Sequence, residues 1–449
     1  MDSVGSNLTV EGRTFGNVAE QPIKIVRIIA RLNIGGPALH TVLLTEGLNN
    51  ERFHSILVTG VIGQGEGDML YLARQRGVNP IIIPELGREI SWRDDLIALW
   101  RVYRLLRRER PHIVHTHTAK AGTLGRVAAI LAGVRIRIHT FHGHVFHSYF
   151  SPLKTRLFIL IERVLARFTT KIVAISQAQL ADLSGRYRIA AAGKFQVIPI
   201  GLDLAPLLEG RAGKQRVEPV ESRGELTVGF VGRLVPVKNP LMACRVFERV
   251  VRAGKVRRRL RLVISGDGDL KPELEAYLRN ARLESQVEFT GWYQDMSDLY
   301  RRLDAIILTS RNEGTPVALI EAMAASLPFV ATAVGGVRDL MVGPERPTSG
   351  PDGRPPFTVF ANGILAESGD EEGFAAALAH LLSDARAMAG MGREGRRFVR
   401  ERFSKNRLVA DMRALYEQCL HSRGCAGSET ARNVGWEAGR TPSDKKVKA

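Results

Sequence analysis

Short runs of β-branched and aliphatic residues alternate with helix-period segments twice along this chain. That double alternation restricts the fold more than any other feature. In the first half the apolar runs fall at 25–30, 55–59, 80–83, 113–116, 136–140, 171–175 and 195–198. Helical periods lie between them, for example at 96–108 and 123–132. Strand alternating with helix specifies βαβ units and a parallel sheet. The pattern fails between Leu204 and Glu225, where Gly210, Gly213, Pro219 and Gly224 sit among charges. It restarts with runs at 226–231, 260–265, 287–290, 305–309 and 329–332. The expectation is two α/β domains with a cleft between them. Ligands of open α/β sheets bind beyond the carboxyl ends of the strands, so residues just after strands are the candidates.

The expected division has six parts. A disordered lead-in occupies 1–22, a first domain 23–204 and a linker 205–225. A second domain follows at 226–402, then a helix at 403–421 and a disordered tail at 422–449. The segment 344–356 holds five prolines and reads as an exposed insertion. With 449 residues, the chain is too long for one ordinary domain. Its 45% hydrophobic and 24% charged residues exclude a wholly disordered chain. Cys244, Cys419 and Cys425 are too few and too scattered for a disulfide framework, which points to a reducing compartment. The start of the chain lacks the pattern of a signal peptide, and no run approaches the roughly 18 apolar residues of a spanning helix. A cytoplasmic protein with a peripheral membrane contact is expected. Lys+Arg 64 against Asp+Glu 46 leaves a net charge of +18. Nucleic acid, an anionic membrane, a phosphorylated ligand or an arginine-rich proteome would each account for it. The chain has no zinc-finger spacing and no known RNA motif, so no nucleic-acid partner is expected.

Five motifs follow strands. Glu313-Gly314-Thr315-Pro316 precedes an apolar helical run that reaches Glu321. Thr315 reads as the N-cap and Pro316 as the first helical residue, which aims free N–H groups at an anion. Two carboxylates beside a phosphate site suit a ribose and a sugar ring. A capped helix with two solvated glutamates explains the same residues. Gly232-Arg233-Leu234, followed by Lys238-Asn239-Pro240, sets two cations around a close turn. They would neutralise a diphosphate, or stand as surface cations on a loop. Gly35-Gly36 lies between the first strand and a helix, as an anion loop or a plain tight turn, without the GxGxxG fingerprint. His139, His142, His144 and His147, with His115 and His117, have no cysteine nearby and no His-Glu-x-x-His helix. Imidazole is a common zinc ligand, so zinc is one reading of the group; cleft lining is the favoured one, with His142 the leading candidate and His115 a core histidine. Asp267 and Asp269, each preceded by glycine, read as a helix start, or as a string that holds a divalent cation on a nucleotide diphosphate. No metal and no cofactor are expected.

In this order and spacing the motifs resemble those of glycosyltransferase family 4, across roughly residues 24–420. Gly35-Gly36 resembles the family's glycine loop. His115-Thr116-His117 and His142-Gly143 resemble its first-domain cleft residues. Val173-Ala174-Ile175-Ser176 and Val197-Ile198-Pro199 resemble its run into the linker. Gly232-Arg233-Leu234 with Lys238-Asn239 resembles its diphosphate grip, and Glu313 and Glu321 its paired glutamates. The resemblance implies the GT-B fold, with two Rossmann-like domains whose parallel sheets face a central cleft. It implies a retaining transfer from a nucleotide sugar, a UDP-sugar by the same resemblance, which is a substrate and not a cofactor. His142, Arg233, Lys238 and Glu313 would be catalytic, and no metal would assist. Gly35, Gly36, Gly232, Arg233, Lys238, Gly314, Thr315, Pro316 and Glu321 would bind the donor. His117, Lys120 and His144 are the acceptor-side candidates. Helix 403–421 would cross back onto the first domain. Ile200 departs from the family, which most often has Asn there, and Ser326 replaces a frequent Gly.

Similarity around His115 to Arg126 and His139 to His147 is to bacterial capsule and exopolysaccharide enzymes. It implies a glycan or polyprenyl-diphosphate-linked acceptor. Trp100, Arg101, Tyr103, Arg104, Arg107 and Arg108 suggest a basic aromatic face, and residues 146–168 mix aromatic and basic side chains. Such faces lie in a membrane interface, or else form the core of the first domain with a solvated cationic side. Two other classes stay open: a nucleotide-sugar epimerase of similar fold and a nucleic-acid-binding protein.

Overall fold

The computed structural model describes residues 21–63, 67–87, 91–143, 152–212, 224–293, 295–349 and 356–422. His144, His147 and residues 146–151 therefore lie outside the described residues. So do most of the lead-in and tail, residues 213–223 of the expected linker, and residues 350–355 of the proline-rich segment.

The first sheet has seven strands. They are β1 (Ile23–Ile29), β2 (Phe53–Thr59), β3 (Ile81–Ile82), β4 (Ile113–His117), β5 (Ile136–Phe141), β6 (Lys171–Ala174) and β7 (Phe195–Val197). Their order is β3-β2-β1-β4-β5-β6-β7, and every pairing is parallel. Helices cover both faces, so β1 is apolar except for Lys24 at its start and the buried Arg27. Ile25, Val26, Ile28 and Ile29 are all buried.

The second sheet has eight strands. β8 (Glu225–Val231), β9 (Arg259–Ser265), β10 (Val287–Gly291), β11 (Ala305–Leu308) and β12 (Phe329–Thr332) correspond to the apolar runs. β13 (Arg346–Pro347), β14 (Phe357–Val359) and β15 (Ile364–Ala366) were not expected from the pattern. The order is β10-β9-β8-β11-β12-β15-β14-β13. The last two pairings are antiparallel. Part of the proline-rich segment is thus an edge strand, a position where proline's missing N–H does no harm.

The segment read as a linker from 205 opens instead with the helix Ala205–Ala212. Leu204 and Leu207 sink into the second domain's core, and Arg396 donates to the Leu208 carbonyl. Ile200 is buried in the same core. The helix Lys405–Ser422 leaves the second domain and packs Leu408, Met412, Leu415 and Tyr416 against Ile25, Leu44 and Ile113 of the first. The two passages between domains are stitched together. Leu202 N–H donates to Phe403 O at 2.8 Å, and Lys405 N–H to Leu202 O at 2.9 Å.

Strand order reverses in each sheet. The reversal lies between β1 and β4 in the first and between β8 and β11 in the second. Chain turns leave such a switch point in opposite directions and open a crevice there. The glycine loop follows β1 and the Arg233–Lys238 turn follows β8. His117 ends β4 and Glu313 follows β11. Both sets of motifs therefore stand at switch points.

Candidate functional site

The two switch points meet. A Cβ on Gly314 would come within 2.6 Å of the His142 carbonyl oxygen. A Cβ on Gly36 would lie 3.1 Å from Val317, at the start of the facing helix Val317–Ala324. Asp339 accepts from the Ala178 N–H at 3.2 Å, a further bond between the domains. Gly335 and Gly336, which the sequence reading did not single out, buttress this contact. Gly335 has φ +48°, and a Cβ on Gly336 would stand 1.7 Å from the Gly314 oxygen. Only glycine allows the two backbones to approach so closely. Their signal was a glycine pair following strand β12.

On the second-domain side, Lys238 Nζ lies 2.6 Å from Glu313 Oε1. The Ser310 hydroxyl donates to the same oxygen at 2.6 Å. The Glu313 side chain is 7% exposed, against 23% for Lys238. Glu313 is therefore held by a cation and a hydroxyl, where the sequence suggested a carboxylate free for sugar hydroxyls. The turn carrying Lys238 is pinned by Thr309, whose hydroxyl donates to Asn239 O at 2.9 Å. Arg311 N–H donates to Val237 O at 2.8 Å. Gly232 and Arg233 are half-buried at the start of that turn. The loop with Asp267 and Asp269 braces it, since Leu234 N–H donates to Asp267 O at 2.9 Å.

The capping expectation needs correction. Pro316 is the N-cap, with φ −74° and ψ 109°, and the helix begins at Val317. Extended ψ keeps Pro316 outside the helix, so Thr315 is one residue too early to cap it. The Thr315 hydroxyl is buried without a hydrogen-bond partner among the described residues. The first N–H groups of this helix have no intrahelical acceptor and carry a partial positive charge. Glu321, half-buried one turn in, accepts from the Tyr300 hydroxyl at 2.9 Å. Burial pushes its carboxyl up to about 7, so near neutrality it divides between acid and carboxylate.

On the first-domain side, Gly35 caps the helix Gly36–Gly47. His40 on that helix, His117 and His142 converge. His117 Nδ1 lies 2.9 Å from His142 Nε2. Burial drives His142 down to about 3, and it holds His40, His115, His117 and His139 well below the ordinary imidazole value. Neutral rings at the cleft wall accept or donate one hydrogen bond each without adding charge. Lys120 is paired with Asp95 at 2.6 Å. His115 is a core residue, bonded to Tyr416 (2.6 Å) and Thr140 (2.7 Å). Buried Arg27 reaches Ser55 at 3.0 Å and the same Tyr416 hydroxyl at 3.3 Å. Tyr416 comes from the crossing helix, so the C-terminus helps fix the histidine wall. Thr118, also missed by the sequence reading, turns the chain after β4 with φ +65°. A non-glycine residue in that region is strained, and such strain clusters at ligand sites.

Comparison with known proteins identifies the family. Residues 34–206 match the family described as Glycosyltransferase Family 4, and residues 225–384 match Glycosyl transferases group 1. A UDP-Gal:alpha-D-GlcNAc-diphosphoundecaprenol alpha-1,3-galactosyltransferase of Escherichia coli is 31% identical over 263 residues, 58% of this chain and 67% of the relative. The capsular polysaccharide biosynthesis glycosyltransferase CapM of Staphylococcus aureus is 23% identical over 395 residues, 83% of this chain and 98% of the relative. Among solved structures, HepE of Anabaena, in complex with UDP and glucose, aligns with a TM-score of 0.68 and 18% identity. That alignment covers 88% of this chain and 99% of HepE. At that identity it establishes the fold alone.

Proposed function

This chain belongs to glycosyltransferase family 4, with the GT-B fold, and from that premise we propose that it transfers a sugar with retention from a UDP-sugar onto a lipid-diphosphate-linked glycan during bacterial surface-polysaccharide synthesis. The observation that carries the donor half is the meeting of the Lys238–Glu313 pair, the helix end at Gly314–Pro316 and His142 at one point between two switch points. Arg233, Lys238 and the helix amides would stabilise the leaving diphosphate, where charge grows in the transition state. Those groups are cationic or N–H donors, so this step asks for no metal. Glu321 would hold the ribose, and Glu313 and His142 the sugar and its phosphate. The relatives that act in capsule synthesis and on a diphosphoundecaprenol acceptor support the acceptor half.

A thermal-shift panel with UDP, GDP, ADP and CMP tests the donor. A ligand at about a hundred times its Kd adds roughly 2.7 kcal/mol to stability. UDP is expected to raise Tm, and EDTA to leave that rise unchanged. A silent panel would remove the donor site. Release of UDP from the UDP-sugar is expected to require an acceptor beyond slow hydrolysis, which separates transfer from epimerisation.

We also propose that the first domain binds a membrane surface. Leu153, Leu157, Leu160, Val164 and Phe168 project into solvent along one side of the helix Pro152–Phe168. Glu162, Leu165 and Ala166 face inward. The helix Trp92–Glu109 exposes Trp92, Leu96 and Trp100, with Arg93 and Arg104 over the two indoles. The helix Ala119–Leu131, which packs against both, adds exposed Leu131. Exposed apolar residues on these helices, with Arg93 and Arg104 over the indoles, would suit an anionic bilayer surface. Among the described residues no helix is long and apolar enough to cross a membrane. Co-sedimentation with phosphatidylglycerol-rich vesicles is the measurement, with phosphatidylcholine as the weaker surface. Each buried leucine is worth about 1.5–3 kcal/mol, so a Leu157→Glu, Leu160→Glu pair should release the protein. Retention equal to that of the unaltered chain would refute this face.

A further inference from the structure

Beyond the transfer reaction, we propose that His40, His117 and His142 form a binding site for one divalent transition-metal ion of the zinc class. Three separate elements each contribute one imidazole. His40 lies on the helix Gly36–Gly47, His117 ends β4, and His142 follows β5. One ring nitrogen from each lies within 4.8 Å of the other two. Zinc–imidazole bonds of about 2.0–2.1 Å in a tetrahedron place ligand nitrogens about 3.3 Å apart. Small ring rotations close the set. The ring centroids are already 4.8 Å apart for His40 and His142, and 5.2 Å for His117 and His142.

The independent observation is a concentration of unpaired nitrogens. His40 is 1% exposed, and among the described residues neither of its ring nitrogens has a hydrogen-bond partner. His117 is fully buried, and its Nε2 has none among the described residues. A buried polar atom without a partner costs about 1–3 kcal/mol. A metal ion would take the one lone pair of the His40 ring, which has no other partner among the described residues, at the point where His117 and His142 converge on it. The three side chains include no carboxylate, which selects zinc, nickel, cobalt or copper over magnesium and calcium. His115 does not join, because both its nitrogens are bonded to Tyr416 and Thr140. It lies beneath the site instead, with ring centroids 4.3 Å from His117. Three protein ligands leave a fourth position for water or another oxygen ligand. The ion would belong to the first-domain wall and take His142 through Nε2, the nitrogen that lies 2.9 Å from His117 Nδ1, leaving the other ring nitrogen to the sugar, and the diphosphate would stay with Arg233 and Lys238.

The test uses untagged full-length protein stripped with EDTA. It is titrated with Zn²⁺ by calorimetry, and with Co²⁺ followed by its visible spectrum. One ion per chain is expected, with the intense cobalt absorption of a four- or five-coordinate site. His40→Ala and His40→Gln, checked for folding by circular dichroism without metal, should weaken binding. The loss should be at least the 10–100-fold that outer partners of metal sites are worth. Unchanged binding in a folded His40 variant would assign the metal to other histidines and overturn the site. If neither variant folds, the unaltered protein decides. No binding, or the weak spectrum of six-coordinate cobalt, overturns the proposal. These readouts do not involve the sugar donor, so failure here leaves the transfer reaction standing, and a silent nucleotide panel leaves this site standing.

Discussion

Lys238→Ala should lower sugar transfer by about 10²–10³-fold, the usual cost of removing one preorganised donor from a developing charge. Two effects act together. The leaving diphosphate loses a cation that the turn after β8 holds in place. Glu313, only 7% exposed, loses its 2.6 Å partner and becomes a negative charge facing the phosphates. Lys238→Ala with Glu313→Gln should therefore bind UDP better than Lys238→Ala alone. The fold should stand in both, because Lys238 is partly solvated and Glu313 keeps the hydrogen bond from Ser310. Glu321→Ala should also lose turnover, through the ribose. Steady-state transfer and UDP calorimetry on the variants make the check. Normal turnover in both Lys238→Ala and Glu321→Ala would sink the assignment of the site.

The sequence shows the parts of this molecule that local chemistry determines. Long apolar runs give twelve strands, because a strand buried on both faces needs an unbroken run of apolar residues. β13, β14 and β15 escape because they lie in and just after the proline-rich segment, which reads as an exposed insertion and not as an apolar run. They form through pairing at the edge of an existing sheet. The turns that carry Arg233, Lys238 and Glu313 are legible because turns after strands have a recognisable composition. Which partner each meets is another matter. The Lys238–Glu313 pair spans 75 residues, and the His115–Tyr416 bond spans 301. Only the tertiary fold creates those distances. His40 shows the limit most clearly. Nothing around it distinguishes an ordinary helical position from one that faces two other histidines. Thr315 shows a different limit, since one proline with extended ψ moves the helix start by a residue.

The same separation hides the buried ion pair on which the largest stability loss is expected. Glu162→Ala should destabilise the first domain by about 3–5 kcal/mol, the cost of leaving one member of a buried pair alone. Arg126 is 1% exposed, and its Nη2 lies 2.8 Å from both Glu162 oxygens. Its Nε donates to the Gly122 carbonyl at 2.7 Å, while Nη1 has no partner among the described residues. Without Glu162 the guanidinium keeps one backbone acceptor and no counter-charge. The pair ties the helix Ala119–Leu131 to the helix Pro152–Phe168, which carries the exposed leucine stripe. Its loss should therefore free that helix before the sheet unfolds. At about 2–4 °C per kcal/mol, Tm falls by about 6–20 °C. Arg126→Met with Glu162→Leu removes both charges and fills similar volume, so it should recover most of that loss. Calorimetric melting of the three proteins gives the comparison. A drop below about 1 kcal/mol in Glu162→Ala is the value expected of an exposed pair. It would mean that water reaches Arg126 and that packing alone holds the helix.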